Sequence, residues 1–233
     1  MKKKEIVITG GLGFVGRNFV EFLDAKLRDH TLIIFDKSKK NLKKLNLNYK
    51  KNKIIIIIAN TLNINKKLKK YKNIIALFHF GEFSRIVKSF EHTNECFTSN
   101  TLGTFKVLNF CREKKIKIIY SASSSKFGNK GKDEHLSPYS WTKSKNIELI
   151  KNYSEWFGLK YEIVYFYNVY GPNQISKGNM ATVIGIFEEF YKKNKPLPVV
   201  RPGTQSRRFT HIDDTVNVCY LAWKKNLCRH YSI

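Results

Sequence analysis

Short apolar runs alternate with amphipathic stretches along most of the chain. The first four runs are rich in β-branched residues and lie at 6–8, 32–35, 54–58 and 74–80. Each predicts a buried strand, whereas apolar residues spaced three or four apart from Phe14 to Leu27 predict a helix. Such alternation predicts an α/β fold with a doubly wound parallel sheet and right-handed crossovers. Because the run at 54–58 is isoleucine throughout, we expect that strand to be buried on both faces.

The alternation continues as far as residue 167. A helix is predicted around Asn94 to Glu113, a fifth strand over Lys117 to Tyr120, a long helix over Pro138 to Phe157 and a sixth strand over Tyr161 to Tyr167. After Gly171 the pattern changes to a helix near Thr182 to Lys193, a short strand at Leu197 to Val200, and a strand followed by a helix over Phe209 to Lys225. We therefore predict two domains, residues 1–167 and residues 168–233.

The last residues of the chain, His230 to Ile233, alternate like the start of a strand. We therefore expect the second domain to be small and incomplete. An incomplete domain would leave Phe187, Phe190 and Leu221 without apolar neighbours and would expose a contiguous apolar patch.

The formal charge of +25 over 233 residues raises the alternative of an RNA-binding protein. The positive residues are mostly lysines spread over nearly every predicted element, and lysine lacks the planar fork with which arginine reads bases. Lysine, asparagine and isoleucine are abundant together, as A/T-rich codons favour, so genome composition explains the charge at least as well. We therefore expect no nucleic-acid partner.

Several function classes are disfavoured by what the sequence lacks. No stretch approaches the ~20 apolar residues of a membrane-spanning helix, so we expect no membrane partner. Met1 to Glu5 lead directly into the first strand without the apolar core of a signal peptide, which predicts a cytoplasmic protein. The four cysteines show no metal-ligand spacing, so we expect free thiols and no metal.

Three glycines, Gly10, Gly13 and Gly16, separate the first strand from the first helix. They permit a tight turn, close approach of the backbone to a pyrophosphate and close packing of helix on strand. The free N–H groups and positive dipole end of the helix would face the phosphates. Asp36 ends the second strand 20 residues after Gly16, where a carboxylate can bind an adenosine ribose. The spacing predicts a dinucleotide site; a strand–turn–helix without a ligand is the plainer alternative.

A second candidate site lies at the start of the long helix, where Tyr139 and Lys143 are four residues apart. This spacing puts both side chains on one helical face, with Cβ atoms about 5–6 Å apart. A cation beside a phenol favours the phenolate, which is the form that can act as a base near neutral pH. Ser123 ends the fifth strand at the same sheet edge and could bind the substrate oxygen that Tyr139 deprotonates. A packed tyrosine beside a surface lysine is the alternative.

With these parts together, the chain resembles the extended short-chain dehydrogenase/reductase family, in particular its sugar-nucleotide epimerase/dehydratase branch. The resemblance covers residues 6–214. Residues 9–16 are similar to the TGxxGxxG fingerprint, Tyr139 and Lys143 to YxxxK, Ser123 to the catalytic Ser/Thr, 100–104 to N-x-x-G-T, 168–172 to N-V-Y-G-P and 207–214 to R-D-F-x-x-V-D-D.

The resemblance implies a Rossmann NAD-binding domain over 1–167, a partial substrate-binding domain over 168–233, and a homodimer. The residues it implies for catalysis are Ser123, Tyr139 and Lys143. For NAD they are Gly10, Gly13, Phe14, Val15, Gly16, Asp36, Asn60, Asn100 and Lys143. For a nucleotide sugar they are Ser123, Asn168, Asn179 and Arg207.

Some positions depart from the branch. Ser124 and Ser125 stand where dehydratases usually have the acidic pair for water elimination, so elimination is disfavoured. Asn60 replaces a usual aspartate, Tyr165 a frequent arginine, and Glu82 falls in a segment that is usually H-x-A-A-x. We expect an NAD-dependent epimerase acting at C4 through a 4-keto sugar. The alternatives are a reductase or dehydratase of the same family and a truncated, inactive NAD-binding module.

Overall fold

The computed structural model describes residues 3–47, 51–178 and 181–233, with the backbone alone at 129–132. Within these residues the strands are β1 Lys4–Thr9, β2 His30–Asp36, β3 Lys53–Ile58, β4 Ile74–His79, β5 Lys117–Ser123, β6 Tyr161–Phe166, β7 Val169–Tyr170, β8 Thr210–His211 and β9 His230–Ser232. The α-helices are α1 Phe14–Lys26, α2 Ile64–Leu68, α3 Lys88–Glu91, α4 Thr93–Phe97, α5 Gly103–Lys114, α6 Pro138–Phe157, α7 Val183–Lys192 and α8 Ile212–Lys224.

Seven strands form one parallel sheet in the order β3-β2-β1-β4-β5-β6-β9. The order reverses between β1 and β4, and in sheets of this type ligands bind beyond the carboxyl ends of the strands at that reversal. The predicted doubly wound α/β sheet is confirmed.

Alternate residues of each strand enter two separate cores, because successive side chains in a strand point to opposite faces. On β1, Val7 packs with residues of α2, α5 and α6, whereas Ile6 and Ile8 pack with residues of α1 and α8. The sheet is therefore covered on both sides, which leaves its carboxyl edge as the open region.

Two strand predictions were wrong in detail. The isoleucine strand β3 forms as predicted, but it is an edge strand whose residues are half-buried or exposed. Only β2 pairs with it, so it lacks the second neighbour that an interior strand has. Leu197 to Val200 form no strand, and Val199 and Val200 are largely exposed.

The C-terminal elements return to the main sheet. Helix α8 packs on α1, and β9 pairs with β6 as the seventh strand. The buried Glu162 carboxylate accepts bonds from Lys117 Nζ at 2.9 Å, from the backbone N–H groups of Leu227 and Arg229, and from Tyr231 Oη. Residues 212–232 therefore pack with the layers of the main sheet, and a separate second domain over 168–233 stays a prediction.

The three residues expected to lack neighbours differ from one another. Phe187 and Phe190 of α7 are half-buried, whereas Leu221 of α8 is exposed.

Among residues 3–47, 51–178 and 181–233, no helix combines the length and the apolar character that a bilayer span requires.

Candidate active site

A cleft of about 1280 Å³ lies along the carboxyl ends of the central strands. The sequence-predicted site residues that line it are Gly10, Gly13, Phe14, Val15, Gly16, Asp36, Asn60, Ser123, Tyr139, Lys143, Asn168 and Arg207. Asn179, predicted to bind substrate, lies outside the described residues. Residues far apart in sequence, from the first turn to Arg207, thus meet in one cavity.

The glycine-rich turn between β1 and α1 brings backbone segments closer together than side chains would allow. Gly10 has φ of +65°, and a Cβ there would lie 2.7 Å from the Gly81 Cα. A Cβ at Gly16 would lie 2.1 Å from the Gly10 carbonyl oxygen, so no side chain fits at either position. Helix α1 begins after Gly13 without a side-chain cap. Its first three residues, 14–16, line the cleft, so the uncapped N–H groups of this first turn are available to a pyrophosphate there.

Asp36, at the end of β2, is the carboxylate that the sequence predicts for binding an adenosine ribose. Its carboxylate accepts bonds from the Leu12 and Ser38 backbone N–H groups, each at 3.0 Å, which fixes it beside the glycine-rich turn. The neighbouring Lys37 pairs with Glu95 at 2.5 Å. Asn60 also lines the cleft, and its Oδ1 accepts a bond from the Leu62 N–H at 2.9 Å.

The side chains predicted to be catalytic come from the end of β5 and the start of α6. Ser123 Oγ accepts a hydrogen bond from Ser125 Oγ at 2.9 Å. Ser137 caps α6 through the Ser140 N–H, with Pro138 in the first helical position, so the sequence begins the helix one residue before Tyr139. Tyr139 and Lys143 lie one turn apart and both line the cleft, as their spacing predicts.

Lys143 is almost fully buried and pairs with Glu82. Its ammonium also donates to the Ser121 carbonyl oxygen and lies 4.6 Å from the centre of the Tyr120 ring. Glu82 Oε1 accepts from Tyr120 Oη at 3.0 Å, Thr104 Oγ1 at 3.0 Å and Asn146 Nδ2 at 2.9 Å. Burial raises the pKa of Tyr120, so its hydroxyl keeps the proton that it donates. The sequence identified Glu82 as a departure but gave no partner for it.

His79 connects this network to β1. Its Nδ1 lies 2.7 Å from Thr9 Oγ1 and its Nε2 2.9 Å from Thr104 Oγ1. Since Thr104 donates to Glu82, the consistent assignment has His79 donating from Nε2 to Thr104 and accepting at Nδ1 from Thr9. Burial lowers the pKa of His79 to about 4, so the ring is neutral at physiological pH.

Asn100 lies behind the cleft, not in it. It is fully buried in a short π-helical segment, Thr98–Leu102. Its side chain accepts from the Phe83 N–H at 2.6 Å and donates to the Phe83 carbonyl oxygen and to Thr142 Oγ1. These bonds use the amide to join the loop after β4 to α6. The geometry favours a supporting role for Asn100 over the direct cofactor contact that was predicted.

The far side of the cleft is formed where β7 pairs with β8. This pairing brings Asn168 to the segment before β8, and its Nδ2 donates to the Arg208 carbonyl oxygen at 2.8 Å. The exposed Arg207 donates to the Ser206 carbonyl oxygen. The Arg208 guanidinium lies 5.9 Å from the centre of the Tyr167 ring. Arg207 and Arg208 both line the cleft.

A family model described as the NAD dependent epimerase/dehydratase family matches residues 6–233. A putative UDP-glucose 4-epimerase from Methanocaldococcus jannaschii is 30% identical over 95% of this chain and 75% of its own length. An ADP-L-glycero-D-manno-heptose-6-epimerase from Fusobacterium nucleatum is 30% identical over 92% of this chain and 70% of its own. The sequence similarity thus extends through both halves of the cleft.

A solved structure shows the same arrangement of elements. A UDP-glucuronic acid 4-epimerase from Bacillus cereus, in complex with UDP-glucuronic acid and NAD, superposes with a TM-score of 0.82. It shares 26% sequence identity, and the match covers 98% of this chain and 77% of that one.

Proposed function

The chain belongs to the NAD-dependent epimerase/dehydratase family, an enzyme family with NAD as its cofactor, and we propose that it epimerises a nucleotide sugar at C4. The observation that carries the proposal is the meeting of Ser123, Tyr139 and Lys143 in the cleft that also contains the glycine-rich turn. The proposed base, Tyr139, and the proposed nucleotide-binding turn therefore line the same cleft.

The residues present fit NAD. The turn around Gly10 and Gly16 leaves no room for a side chain, as a pyrophosphate cradle requires, and the fixed Asp36 carboxylate can accept ribose hydroxyls. When bound, NAD supplies reversible hydride acceptance at the sugar carbon that carries the reacting hydroxyl. Lys143 would hold the ribose on the nicotinamide side, where it lines the same cavity.

The chain's own groups would move the proton. Tyr139 would take the proton of the C4 hydroxyl. After the keto sugar has rotated in the cleft, Tyr139 would return the proton to the C4 oxygen, and the configuration at C4 would be inverted. Ser123 would bind the same oxygen, with Ser125 supporting it across 2.9 Å. Arg207, with Asn168 beside it, would hold the diphosphate of the substrate by charge-assisted bonds.

Epimerisation is favoured over elimination by the side chains after Ser123. Ser124 and Ser125 line the cleft where a dehydratase needs an acid and a base, and a serine hydroxyl titrates too high to serve as either. A reductase of the same fold remains the second candidate, and it is supported by the same Tyr139 and Lys143.

A homodimer is proposed on a further observation. Helices α4, α5 and α6 and the π-helical segment carry exposed apolar side chains, namely Phe97, Leu102, Phe105 and Trp141. The centres of the Phe97 and Trp141 rings are 5.5 Å apart. Burying this surface against a second copy would remove it from water. Light scattering tests this, and a monomer at micromolar concentration contradicts it. A cytoplasmic location stays a prediction from the sequence.

The activity is tested with a panel of nucleotide sugars incubated with protein and NAD and separated by chromatography. Conversion of one member into its C4 epimer by the parent chain supports the proposal. The matched control is Tyr139→Phe, which keeps the ring and removes the ionisable oxygen. It should abolish conversion while NAD still binds in calorimetry. A variant that retains most of the turnover excludes Tyr139 as the base.

A further inference from the structure

Glu82 is a buried carboxylate at the cleft whose charge faces Lys143. The side chains of Glu82 and Lys143 are 2% and 7% exposed, and they form an ion pair between Oε2 and Nζ. Desolvation of both charges in a buried pair is costly, and further hydrogen bonds to the charged groups help to offset it. Three further donors, from Tyr120, Thr104 and Asn146, bind the other carboxylate oxygen, Oε1.

The arrangement leaves the ammonium little freedom. Glu82 and the Ser121 carbonyl oxygen both accept from Lys143 Nζ, and the centre of the Tyr120 ring lies 4.6 Å from it. An ammonium has three N–H donors, and two are taken by Glu82 and Ser121. The described residues provide no oxygen for the third N–H, and since Lys143 lines the cleft, a ligand there can accept it.

Glu82 itself keeps acceptor capacity on the same side. Within the described residues, Oε1 accepts the three donors from Tyr120, Thr104 and Asn146, whereas Oε2 accepts from Lys143. A carboxylate oxygen can accept more than one bond, so Oε2 can take a second donor. A ligand hydroxyl beside the ion pair would accept a bond from Lys143 and donate one to Glu82, so its acceptor and its donor would both be used.

We propose that Glu82 is a cofactor-positioning residue that directs one N–H of Lys143 into the cleft and accepts a bond from the ribose hydroxyl which that N–H binds. The inference rests on the proposed function, in which Lys143 holds the ribose on the nicotinamide side of NAD. Glu82 would then be the acidic residue of the nicotinamide half of the site, as Asp36 is of the adenosine half.

The test is a calorimetric titration of the parent and Glu82→Gln chains with ADP, ADP-ribose and NAD. ADP reaches only the adenosine half of the site, and ADP-ribose adds the second ribose. We expect Glu82→Gln to lower the affinities for ADP-ribose and NAD by at least about tenfold, as loss of a hydrogen bond to a charged group does. The affinity for ADP should be unchanged. A role in the fold alone would not separate ADP from ADP-ribose.

Glu162→Gln is the matched control, because Glu162 is also a buried carboxylate paired with a lysine, Lys117, and lies outside the cleft lining. It should lower the unfolding temperature and leave all three affinities unchanged. Glu82→Asp, which keeps the buried charge but shortens its reach, is the second variant. It should also weaken ADP-ribose without weakening ADP.

Parental ADP-ribose affinity in the folded Glu82 variants would overturn the proposal. An equal loss for ADP, or failure of both variants to fold, would overturn it as well, since either result assigns Glu82 to the fold. Absence of sugar turnover in a parent chain that shows the expected affinities would contradict the proposed epimerase and not the role of Glu82.

Discussion

The Asp36 carboxylate accepts a hydrogen bond from the Leu12 backbone N–H across 3.0 Å, which joins the end of β2 to the glycine-rich turn. A second bond, from the Ser38 N–H, holds the other carboxylate oxygen. The group is thus oriented before any ligand arrives. A preorganised acceptor of this kind loses little conformational freedom on binding.

NAD should bind more tightly than NADP, because Asp36 accepts ribose hydroxyls and repels a 2′-phosphate. Lys37 should not offset this preference, since Glu95 already pairs with it. Titration of both cofactors into the parent, Asp36→Asn and Lys37→Ala chains measures the preference. Asp36→Asn should reduce the ratio of NAD affinity to NADP affinity by about tenfold, and Lys37→Ala should leave this ratio unchanged. Equal or tighter binding of NADP by the parent would show that Asp36 does not select the cofactor.

Ser123→Ala should reduce turnover less than Tyr139→Phe. The Ser125 hydroxyl lies 2.9 Å from Ser123 Oγ, so it or a water can partly replace the lost bond to the substrate oxygen. We expect a loss of about 10- to 100-fold in kcat, against about 100- to 10,000-fold for removal of the general base. Steady-state kinetics of Ser123→Ala, Ser125→Ala and the double variant provide the comparison. If Ser125→Ala is the more damaging single change, Ser125 is the residue that binds substrate.

Arg207→Ala should weaken nucleotide-sugar binding and spare NAD. Arg207 lines the cleft and is exposed, so its guanidinium can exchange its bond to the Ser206 carbonyl oxygen for bonds to a diphosphate. Arg208→Ala is the control, because Arg208 lies against the Tyr167 ring. Calorimetry with the converted nucleotide sugar should show a loss of about tenfold or more for Arg207→Ala alone. A loss of nucleotide-sugar affinity only in Arg208→Ala would move the role to Arg208.

The stability of the chain should fall as pH drops from about 6.5 to 4. His79 has a folded pKa of about 4 because of burial, and an unfolded histidine titrates near 6.5. Between these values the unfolded chain binds more protons at this position, so the free energy of unfolding decreases on acidification. The contribution is about 2 kcal/mol between pH 7 and pH 5.

Urea unfolding at pH 7 and pH 5 measures this dependence. His79→Gln retains a donor and an acceptor for Thr9 and Thr104 but cannot titrate, so its free energy of unfolding should change less with pH. Identical pH dependence in the parent and the variant would mean that His79 is not the titrating group.

Much of the fold could be predicted because the pattern is local. Apolar β-branched runs, the three glycines and the Ser137–Pro138 start of α6 each specify an element through neighbouring residues. The position of a strand in the sheet is not local. The edge placement of β3 depends on which strands pair, and the return of β9 to β6 joins residues about 65 positions apart, as in the Tyr165–His230 hydrogen bond.

The site divides in the same way. Tyr139 and Lys143 share a helix turn, so their spacing alone places them together. Glu82 departs visibly from the family pattern, but its partners come from β5, α5 and α6, and only the folded chain brings them to one carboxylate. The supporting position of Asn100 likewise follows from the π-helical segment, which the helical periodicity did not predict.

Turnover of the converted nucleotide sugar in D2O, followed by proton NMR, tests most directly whether the hydrogen at C4 leaves as hydride and returns to the same carbon. We expect the C4 epimer with its C4 proton at full intensity, since a hydride held in the site does not exchange with solvent. Deuterium at the inverted carbon, a 4-keto-6-deoxy product, or inversion at another carbon would contradict it.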